Sequence, residues 1–234
     1  MRQWREITPG IYEGLPVGIA LVNQNTIEEP SLIERLSRIP SLTKKTHSFD
    51  TWRHRGKESW WSDIKKYADG KYEHPFLTLL GMVGTGKTRL AWSIAWAWLN
   101  RGRSVLYYQV EELLDALREG YSAWEKGDAI GYHIVLKHTQ NVGLLILDDF
   151  GAEHGTAWAK AKLDQIVDYR YVHQKPLIAT TNLTLDQLAE RVADRLSEGT
   201  LIQLMGDSFR LKKNEGKGKT RDINAGYRSV LGYE

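Results

Sequence analysis

Residues Phe76–Thr88 read FLTLLGMVGTGKT, and the predicted elements of the chain are arranged around this stretch. Phe76–Leu80 is an apolar run typical of a buried β-strand. The turn after it fits the pattern G-x-x-x-x-G-K-[ST], and a helical stretch follows from about Gly86. Glycines allow the backbone to curl around an anion, so that N–H groups and the positive end of the helix face phosphate oxygens. The stretch therefore predicts a phosphate-binding loop; the alternative is a chance glycine-rich turn.

Two residues of this loop have specific chemical tasks. The Lys87 ammonium is expected to reach the β- and γ-phosphates of a nucleoside triphosphate, and the Thr88 hydroxyl is expected to ligate Mg²⁺. A nucleoside triphosphate with Mg²⁺ is therefore the ligand that the motif predicts. The residues predicted to contact the nucleotide are Gly81, Gly84, Thr85, Gly86, Lys87, Thr88 and Arg89.

A second motif, Val142–Asp149, reads VGLLILDD and ends in two carboxylates. An uninterrupted apolar run is typical of a strand buried on both faces of a parallel sheet, and open α/β sheets bind ligands at the carboxyl ends of their strands. We expect Asp148 to hold Mg²⁺, usually through water, and Asp149 to polarise the attacking water. The alternative is an apolar strand followed by a solvated acidic turn.

Polar groups also follow the next predicted strand, Pro176–Thr181. Asn182 comes directly after it, where an amide can hydrogen-bond the attacking water or the γ-phosphate; the alternative is an ordinary turn residue. A helix is predicted over Leu185–Leu196, and it carries Arg191 and Arg195. These arginines are four residues apart and so share a face, which is either functional or a solvated, salt-bridging surface.

The composition excludes several classes of protein. The chain of 234 residues has no cysteine, which excludes disulfides, zinc ribbons and thiol catalysis and favours a cytoplasmic location. Its net charge is only +3, so a nucleic-acid partner has to be argued from local patches. The apolar stretch 14–22 is too short to span a bilayer, and we therefore expect no membrane partner.

The chain divides into three predicted segments. Residues 1–46 form an N-terminal extension, which is either a strap packed on the main domain or a docking element for a partner protein. Residues 47–211 form the nucleotide-binding core, in which 119–138 is expected to be less regular. Residues 212–234 form a basic tail, which is either purely solvated or in contact with phosphates.

Taken in order, these motifs resemble those of the AAA+ ATPases, and more narrowly the DnaC/DnaI-type helicase loaders and the IstB-type transposition helpers. The resemblance covers roughly residues 47–210. It implies a three-layer α/β domain, a P-loop NTPase of AAA+ arrangement with a mostly parallel sheet. The segments that carry the resemblance are Ser48–Asp50, Gly84–Thr88, Leu147–Gly151, Ile166–Arg170, Thr181–Leu183, Arg191–Leu196 and Gly206–Arg210.

The resemblance also implies roles for individual residues. Asn182 matches the sensor 1 position, and Arg210 matches sensor 2. Arg195 matches the arginine finger, which acts on nucleotide held by a neighbouring subunit, and Arg191 precedes it in the same motif. Self-association through the Arg195 face is therefore expected. Proteins of this kind bind ATP and single-stranded DNA, and the loaders also bind the replicative hexameric helicase.

This sequence departs from the wider AAA+ pattern in two places. Only about 24 of the 234 residues follow Arg210, too few for the usual multi-helix lid, so Arg210 is expected to act from a short terminal segment. The region before Ser48 has no cysteine. The zinc-bearing, helicase-binding domain of some loaders is therefore not expected here.

Single-stranded DNA is expected to bind through backbone charge and aromatic stacking. In the less regular region, the candidate contacts are Tyr121, Trp124 and Lys126. In the tail, the candidates are Lys212, Lys213, Lys217 and Lys219.

The favoured function is an ATP-dependent loader of the replicative helicase onto single-stranded DNA. Hydrolysis is expected to be slow and stimulated by DNA or a partner, because Asp149 is one methylene shorter than the Glu common at this place. The first alternative is a transposition helper, the same ATPase with a transposase as partner. A nucleotide-gated adaptor with negligible turnover and a small-molecule kinase are further alternatives, and a kinase would need an arginine-bearing lid over its own site.

Overall fold

A computed structural model describes residues 5–8, 11–13, 37–40, 47–52, 59–125, 130–151 and 156–205. The strands are β1 (Arg5–Thr8), β2 (Ile11–Glu13), β3 (Phe76–Leu80), β4 (Val105–Gln109), β5 (Leu144–Phe150), β6 (Leu177–Thr181) and β7 (Thr200–Gln203). The α-helices are α1 (Trp61–Asp69), α2 (Lys87–Leu99), α3 (Val110–Glu125), α4 (Ile130–Asn141), α5 (Ala157–Val172) and α6 (Glu190–Ser197).

Five strands form a parallel sheet in the order β4–β5–β6–β3–β7, and β1 pairs with β2 in a separate antiparallel hairpin. The inner strands are apolar on both faces: all five residues of β6 are buried, and so are Leu144–Leu147 of β5. Strands of this composition are stable only where helices cover both sides of the sheet. The predicted α/β fold with a mostly parallel sheet is confirmed.

Helices cover the sheet on both faces, which gives three layers. On one face, α1 and α2 pack against Leu77, Leu79 and Ile146. On the other face, Leu145 and Leu147 pack against α3, α4, α5 and α6. The carboxyl ends of the neighbouring strands β3, β5 and β6 therefore meet at one edge of the sandwich, where the predicted phosphate loop, the two aspartates and Asn182 lie.

The region 119–138 is more regular than predicted. Helix α3 continues to Glu125 and α4 begins at Ile130, and the two helices pack against each other. A Cβ atom on Gly120 would lie 2.7 Å from the backbone nitrogen of Tyr132, so the two backbones come very close. The expectation of an irregular region was wrong because these two helices stabilise each other by packing together. The aromatic and charged residues between them gave the sequence no clear helical pattern.

The segment after β6 also differs from the prediction. Residues Leu185–Gln187 form a 3₁₀ turn closed by a capping box between Thr184 and Gln187, and α6 begins only at Glu190. The strand β7 was not predicted. It has four residues, and only Ile202 among them is buried, because β7 lies at the edge of the sheet. A strand of this length and position has no clear hydrophobic pattern.

Residues 37–40 pack beside β4 at the opposite edge of the sheet. The Tyr107 N–H donates to the Ser37 carbonyl at 2.9 Å, and Ile39 is buried in the core. Arg38 pairs with Glu112 at 3.1 Å. These four residues, which the predicted segments assign to the N-terminal extension, thus lie on the core as a strap would. Residues 1–4, 9–10, 14–36 and 41–46 of the extension lie outside the described residues.

Arg170 is a fully buried cation in α5. Burial lowers the pKa of its guanidinium to about 9, and its hydrogen bonds offset that cost. These bonds connect the end of α4 to the starts of β5 and β6, and they hold two strands of the site in place. The guanidinium donates to the carbonyl oxygens of Thr139, Gln140, Val142, Gly143 and Pro176.

Candidate nucleotide-binding site

The predicted phosphate loop connects β3 to α2 as a glycine-dependent turn. Gly81, Gly84 and Gly86 have φ angles of +148°, +83° and +102°, which side-chain-bearing residues rarely adopt. A Cβ atom on Gly81 would also collide with the Leu204 carbonyl, which follows β7. The loop therefore has the backbone shape that allows several N–H groups to point toward one anion.

Lys87 lies at the centre of the loop and is almost fully buried. Its ammonium donates to the carbonyl oxygens of Gly81 and Met82, at 2.7 and 3.0 Å, and to Asn182 Oδ1 at 2.5 Å. The contact with Asn182 connects the end of β3 to the end of β6. The structure thus brings together two predicted site residues that are 95 positions apart.

Thr88 and Asp148 meet at the same edge of the sheet. The Thr88 hydroxyl lies 2.9 and 3.0 Å from the two carboxylate oxygens of Asp148, which is buried. A hydroxyl and a carboxylate are oxygen ligands of the kind that Mg²⁺ uses with nucleotides. The arrangement therefore fits a bound Mg²⁺ ion.

Two further hydroxyls hold the Asp148 carboxylate, and neither was predicted from the sequence. The Thr180 hydroxyl donates to Oδ1 at 2.6 Å, and the Tyr107 hydroxyl donates to Oδ2 at 2.7 Å. Burial, together with the nearby Asp148 charge, raises the pKa of Tyr107, so its hydroxyl stays protonated and donates. The sequence signal for Tyr107 is weak, since it is one of two tyrosines in the short apolar run Val105–Tyr108.

Asp149 lies next to Asp148 but is exposed. Its φ of +61° turns the backbone, and its N–H donates to the Thr180 hydroxyl at 3.0 Å. The Asn182 side-chain amide donates to Asp149 Oδ1 at 2.9 Å. Asn182 therefore contacts both Lys87 and Asp149. The Thr180 hydroxyl joins these three residues to the Asp148–Thr88 pair, since it accepts from the Asp149 N–H and donates to Asp148.

The segment 48–52 lies against the start of α2. Arg89 donates to the Thr51 carbonyl at 2.8 Å, and its guanidinium lies 5.1 Å from the centre of the Trp52 ring. The same ring approaches the loop so closely that a Cβ atom on Gly86 would lie 3.2 Å from it. An aromatic face is therefore present beside the phosphate loop.

Arg195 does not join this group. Its guanidinium lies 3.5 Å from Asp168 and 3.2 Å from Asp194, and it stacks over Tyr171 at 4.3 Å. Tyr171 in turn contacts Phe76, which is the first residue of β3. Arg195 therefore lies toward the amino end of the sheet, whereas the phosphate loop follows the carboxyl end.

Arg191 is exposed, with its nearest described carboxylate, Asp168, at 4.0 Å. Among the candidate DNA contacts, Tyr121 is an exposed residue of α3 whose ring meets the Tyr132 ring edge-on. Trp124 also belongs to α3. The remaining DNA candidates lie outside the described residues: Lys126, Lys212, Lys213, Lys217 and Lys219. Arg210, the predicted sensor 2 residue, also lies outside them.

Over the described part of the chain, no group of three or more histidine, cysteine or acidic residues is placed to hold a metal ion by itself. No helix within the same ranges is long and apolar enough to cross a membrane.

Curated proteins of similar sequence include a helicase loader and an ATP-binding protein. The replicative helicase loader DnaC of Escherichia coli K12 is 31% identical over 136 residues, which are 56% of this chain and 54% of DnaC. A putative ATP-binding protein in an insertion sequence of Mycobacterium tuberculosis H37Rv is 31% identical over 149 residues, 59% of this chain and 57% of that protein. The chain spans about half the length of these curated relatives.

Solved structures show the same fold. The DnaC helicase loader superposes with a TM-score of 0.56 at 22% identity, covering 69% of this chain and 98% of that one. The replication initiator DnaA, bound to AMPPCP and single-stranded DNA, gives 0.60 at 20% identity over 78% and 59%. At 20% and 22% identity, these structures establish a shared fold and nothing about function. The predicted AAA+ P-loop fold is thereby confirmed.

The family model described as IstB-like ATP binding protein matches residues 65–216, which is more than half of the chain. The match includes the phosphate loop, the Asp148–Asp149 strand end and Asn182. The chain therefore belongs to the IstB-like ATP-binding protein family, as the resemblance to DnaC and IstB proteins implied.

Proposed function

We propose that this chain is an ATP-dependent loader that places a replicative DNA helicase on single-stranded DNA. The observation that carries the proposal is the connected group at the carboxyl ends of β3, β5 and β6, in which Asn182 joins Lys87 to Asp149. Such a group has the parts needed to bind a triphosphate and to attack it with water. The DnaC relatives supply the reason to assign this ATPase to helicase loading.

In this proposal, the phosphate loop binds ATP through its backbone N–H groups and Lys87. The Lys87 ammonium gives up its carbonyl and Asn182 acceptors in exchange for phosphate oxygens, which are better acceptors because they are charged. Thr88 and Asp148 hold Mg²⁺, which supplies positive charge near the phosphates when it is bound. Trp52, supported by Arg89, offers its aromatic face to the base.

Hydrolysis in this proposal depends on Asp149 and Asn182. Asp149 accepts the proton of the attacking water, and Asn182 orients the Asp149 carboxylate through the 2.9 Å hydrogen bond. Once Lys87 binds phosphate, Asn182 Oδ1 is released and can report the presence of nucleotide. The short Asp149 side chain positions water loosely, so we propose slow turnover that is stimulated by DNA or a partner.

Arg195 acts on the nucleotide of a neighbouring copy in this proposal. Its position toward the amino end of the sheet, beside Tyr171 and Phe76, supports action in trans. Asp168 and Tyr171 hold the guanidinium in a defined direction before assembly. Arg210 is proposed to act as sensor 2 from the end of the core.

Single-stranded DNA is proposed to bind through Tyr121, Trp124 and Lys126 and through the basic tail. The exposed face of Tyr121 on α3 supports a stacking contact. The lysines of the tail, Lys212, Lys213, Lys217 and Lys219, would contact the backbone phosphates, a type of binding that weakens as salt is added.

Capture of the helicase tests the proposal. The immobilised chain is mixed with the purified replicative helicase of its host, with ATP and Mg²⁺ or without nucleotide. We expect retention of the helicase that changes with ATP in the wild type and does not respond to ATP in Lys87→Ala. If the wild-type chain binds ATP but retains no helicase in either condition, helicase loading is not its function.

A transposition helper is the second candidate, because the family itself and the insertion-sequence protein of Mycobacterium tuberculosis favour it. The ATP chemistry would be the same, and the partner would be a transposase. The same capture experiment, repeated with the transposase encoded nearest to this chain, separates the two candidates. ATP-dependent retention of the transposase but not of the helicase would select the helper.

A further inference from the structure

Tyr107 in β4 is held at both its backbone and its side chain. Its N–H donates to the Ser37 carbonyl at 2.9 Å, and its hydroxyl donates to Asp148 Oδ2 at 2.7 Å. The first bond reaches the edge segment, residues 37–40, and the second reaches the proposed Mg²⁺ ligand. One residue therefore connects the edge of the sheet to the metal site.

The hydroxyl of Tyr107 is one of the groups that orient Asp148. Tyr107 binds one carboxylate oxygen and Thr180 binds the other, while the Thr88 hydroxyl lies near both. When the Thr88 oxygen turns to a metal ion, Tyr107 and Thr180 remain as the donors that hold the carboxylate. Loss of either donor leaves the carboxylate freer to rotate and so less prepared for the ion.

Further contacts of residues 37–39 hold the edge segment beside its bond to Tyr107. Ser37 and Ile39 are buried, whereas Arg38 extends over the Tyr108 ring at 4.2 Å and pairs with Glu112. Arg38 has a φ of +60°, a backbone conformation that a residue with a side chain holds only where its surroundings support it. A displacement of residues 37–40 would thus break these contacts together with the hydrogen bond to Tyr107.

We propose that Tyr107 is a positioning residue for the Mg²⁺ site and that it transmits the position of the edge segment to Asp148. This inference rests on the proposed function, because it requires Asp148 to hold Mg²⁺. A displacement of the edge segment therefore weakens the binding of Mg²⁺ with ATP.

The test measures how much Mg²⁺ strengthens nucleotide binding. The dissociation constant of a fluorescent ATP analogue is measured in EDTA and in saturating Mg²⁺, and the ratio of the two values is the Mg²⁺ enhancement. We expect Tyr107→Phe to lower this ratio about tenfold, as loss of a group that orients a metal ligand does, with the EDTA value unchanged. A merely structural role would weaken binding in both conditions equally and overturn the proposal.

Tyr132→Phe is the matched control, because Tyr132 is a buried tyrosine of α4 whose ring contacts Tyr121 and Lys162, away from Asp148 and the edge segment. It should leave the enhancement unchanged. Asp148→Asn distinguishes failure of the proposed metal site from failure of the proposed role of Tyr107. If Asp148→Asn keeps the wild-type enhancement, the proposed metal site fails; if it lowers the enhancement and Tyr107→Phe does not, only the role of Tyr107 is overturned.

Transmission is tested by loosening the edge segment with Arg38→Ala. We expect this change to lower the Mg²⁺ enhancement several-fold in the wild-type background and to have no further effect in Tyr107→Phe, since the two residues act through one connection. An Arg38→Ala effect of equal size in both backgrounds, or no effect in the wild-type background, would overturn transmission through Tyr107.

Discussion

The Lys87 ammonium and the Asn182 amide show how much of the site depends on single hydrogen bonds. The ammonium has three protons and contacts three acceptors, two loop carbonyls and Asn182 Oδ1. The same Asn182 side chain donates to Asp149 through its amide nitrogen. Because Asn182 contacts both the phosphate-binding cation and the proposed base, a change at Lys87 should alter the position of the Asp149 carboxylate.

Lys87→Ala should abolish ATP binding. The change removes the only charge in the loop that faces the β- and γ-phosphates in the proposed complex. Isothermal titration calorimetry with ATP and Mg²⁺ measures the effect, and Lys66→Ala, an exposed lysine on α1, is the control that should bind as the wild type does. Undiminished ATP binding by Lys87→Ala would contradict the assignment of the phosphate loop.

Asp149→Asn should bind ATP with wild-type affinity and hydrolyse it far more slowly. An amide cannot accept the proton of the attacking water, and a positioned general base contributes about 10²–10⁴ in rate. Steady-state phosphate release at saturating ATP measures the loss. Unchanged turnover would move the role of base to another carboxylate, and Glu153, outside the described residues, is the next candidate in the sequence.

At the scale of elements, uninterrupted apolar runs predicted the buried strands correctly. The short edge strand and the pair of helices that pack on each other were not predicted. The β3–loop–α2 unit and β5 follow the prediction closely, since a fully buried strand has to be apolar at every position. The edge strand β7 was missed because only Ile202 needs to be buried. The second half of α3 and the helix α4 were missed because their stability comes from contacts between the two helices, which no local pattern reveals.

The residues of the candidate site also divide into those that a local motif predicts and those that it does not. Lys87, Thr88, Asp148, Asp149 and Asn182 could be predicted because each follows a strand end or belongs to a spaced motif. Thr180 and Tyr107 could not, since their importance depends on which strands are neighbours: β4 lies beside β5, and β5 lies beside β6. Strand order is a long-range property, and no segment of the sequence shows it alone.

His138 in α4 should make the free energy of unfolding fall in mild acid. The imidazole Nδ1 is shielded and has no partner among the described residues, and burial lowers the pKa of His138 from 6.5 to about 4. Well above pH 6.5 the ring is neutral in both folded and unfolded chains. As the pH falls from 6.5 to 4, only the unfolded chain takes up the proton, and the free energy of unfolding drops by up to about 3 kcal/mol.

Urea unfolding at a series of pH values measures this dependence. His138→Leu should unfold with less dependence on pH between 6.5 and 4 than the wild type. His133→Leu, at an exposed position of the same helix, is the matched control and should keep the wild-type dependence. Equal slopes for wild type and His138→Leu would show that His138 titrates normally in the folded chain.

At the scale of the whole molecule, Arg195 and the phosphate loop lie toward opposite ends of the sheet. An arginine finger is worth about 10³–10⁵ in rate, so a single copy should hydrolyse ATP poorly. Arg195→Ala should keep ATP affinity but lose turnover, and Lys87→Ala should lose both. A mixture of the two variants should regain part of the rate, because the first supplies an intact nucleotide site and the second supplies an intact finger.

The mixing experiment needs proof that both variants fold and associate, which circular dichroism and sedimentation supply. Turnover of the wild type should also rise faster than linearly with protein concentration. If no mixture regains activity although both variants associate, Arg195 acts on its own site or only supports the structure through Asp168 and Tyr171.

Loading itself is measured with the replicative helicase of the host on closed single-stranded DNA circles. A ring-shaped helicase cannot thread onto a closed circle, so helicase that stays on the circle through gel filtration has been loaded. We predict that the wild-type chain with ATP and Mg²⁺ raises the amount of helicase on the circles and that Lys87→Ala does not. Equal amounts of helicase on the circles with wild type, with Lys87→Ala and without this chain would contradict its proposed function as a helicase loader.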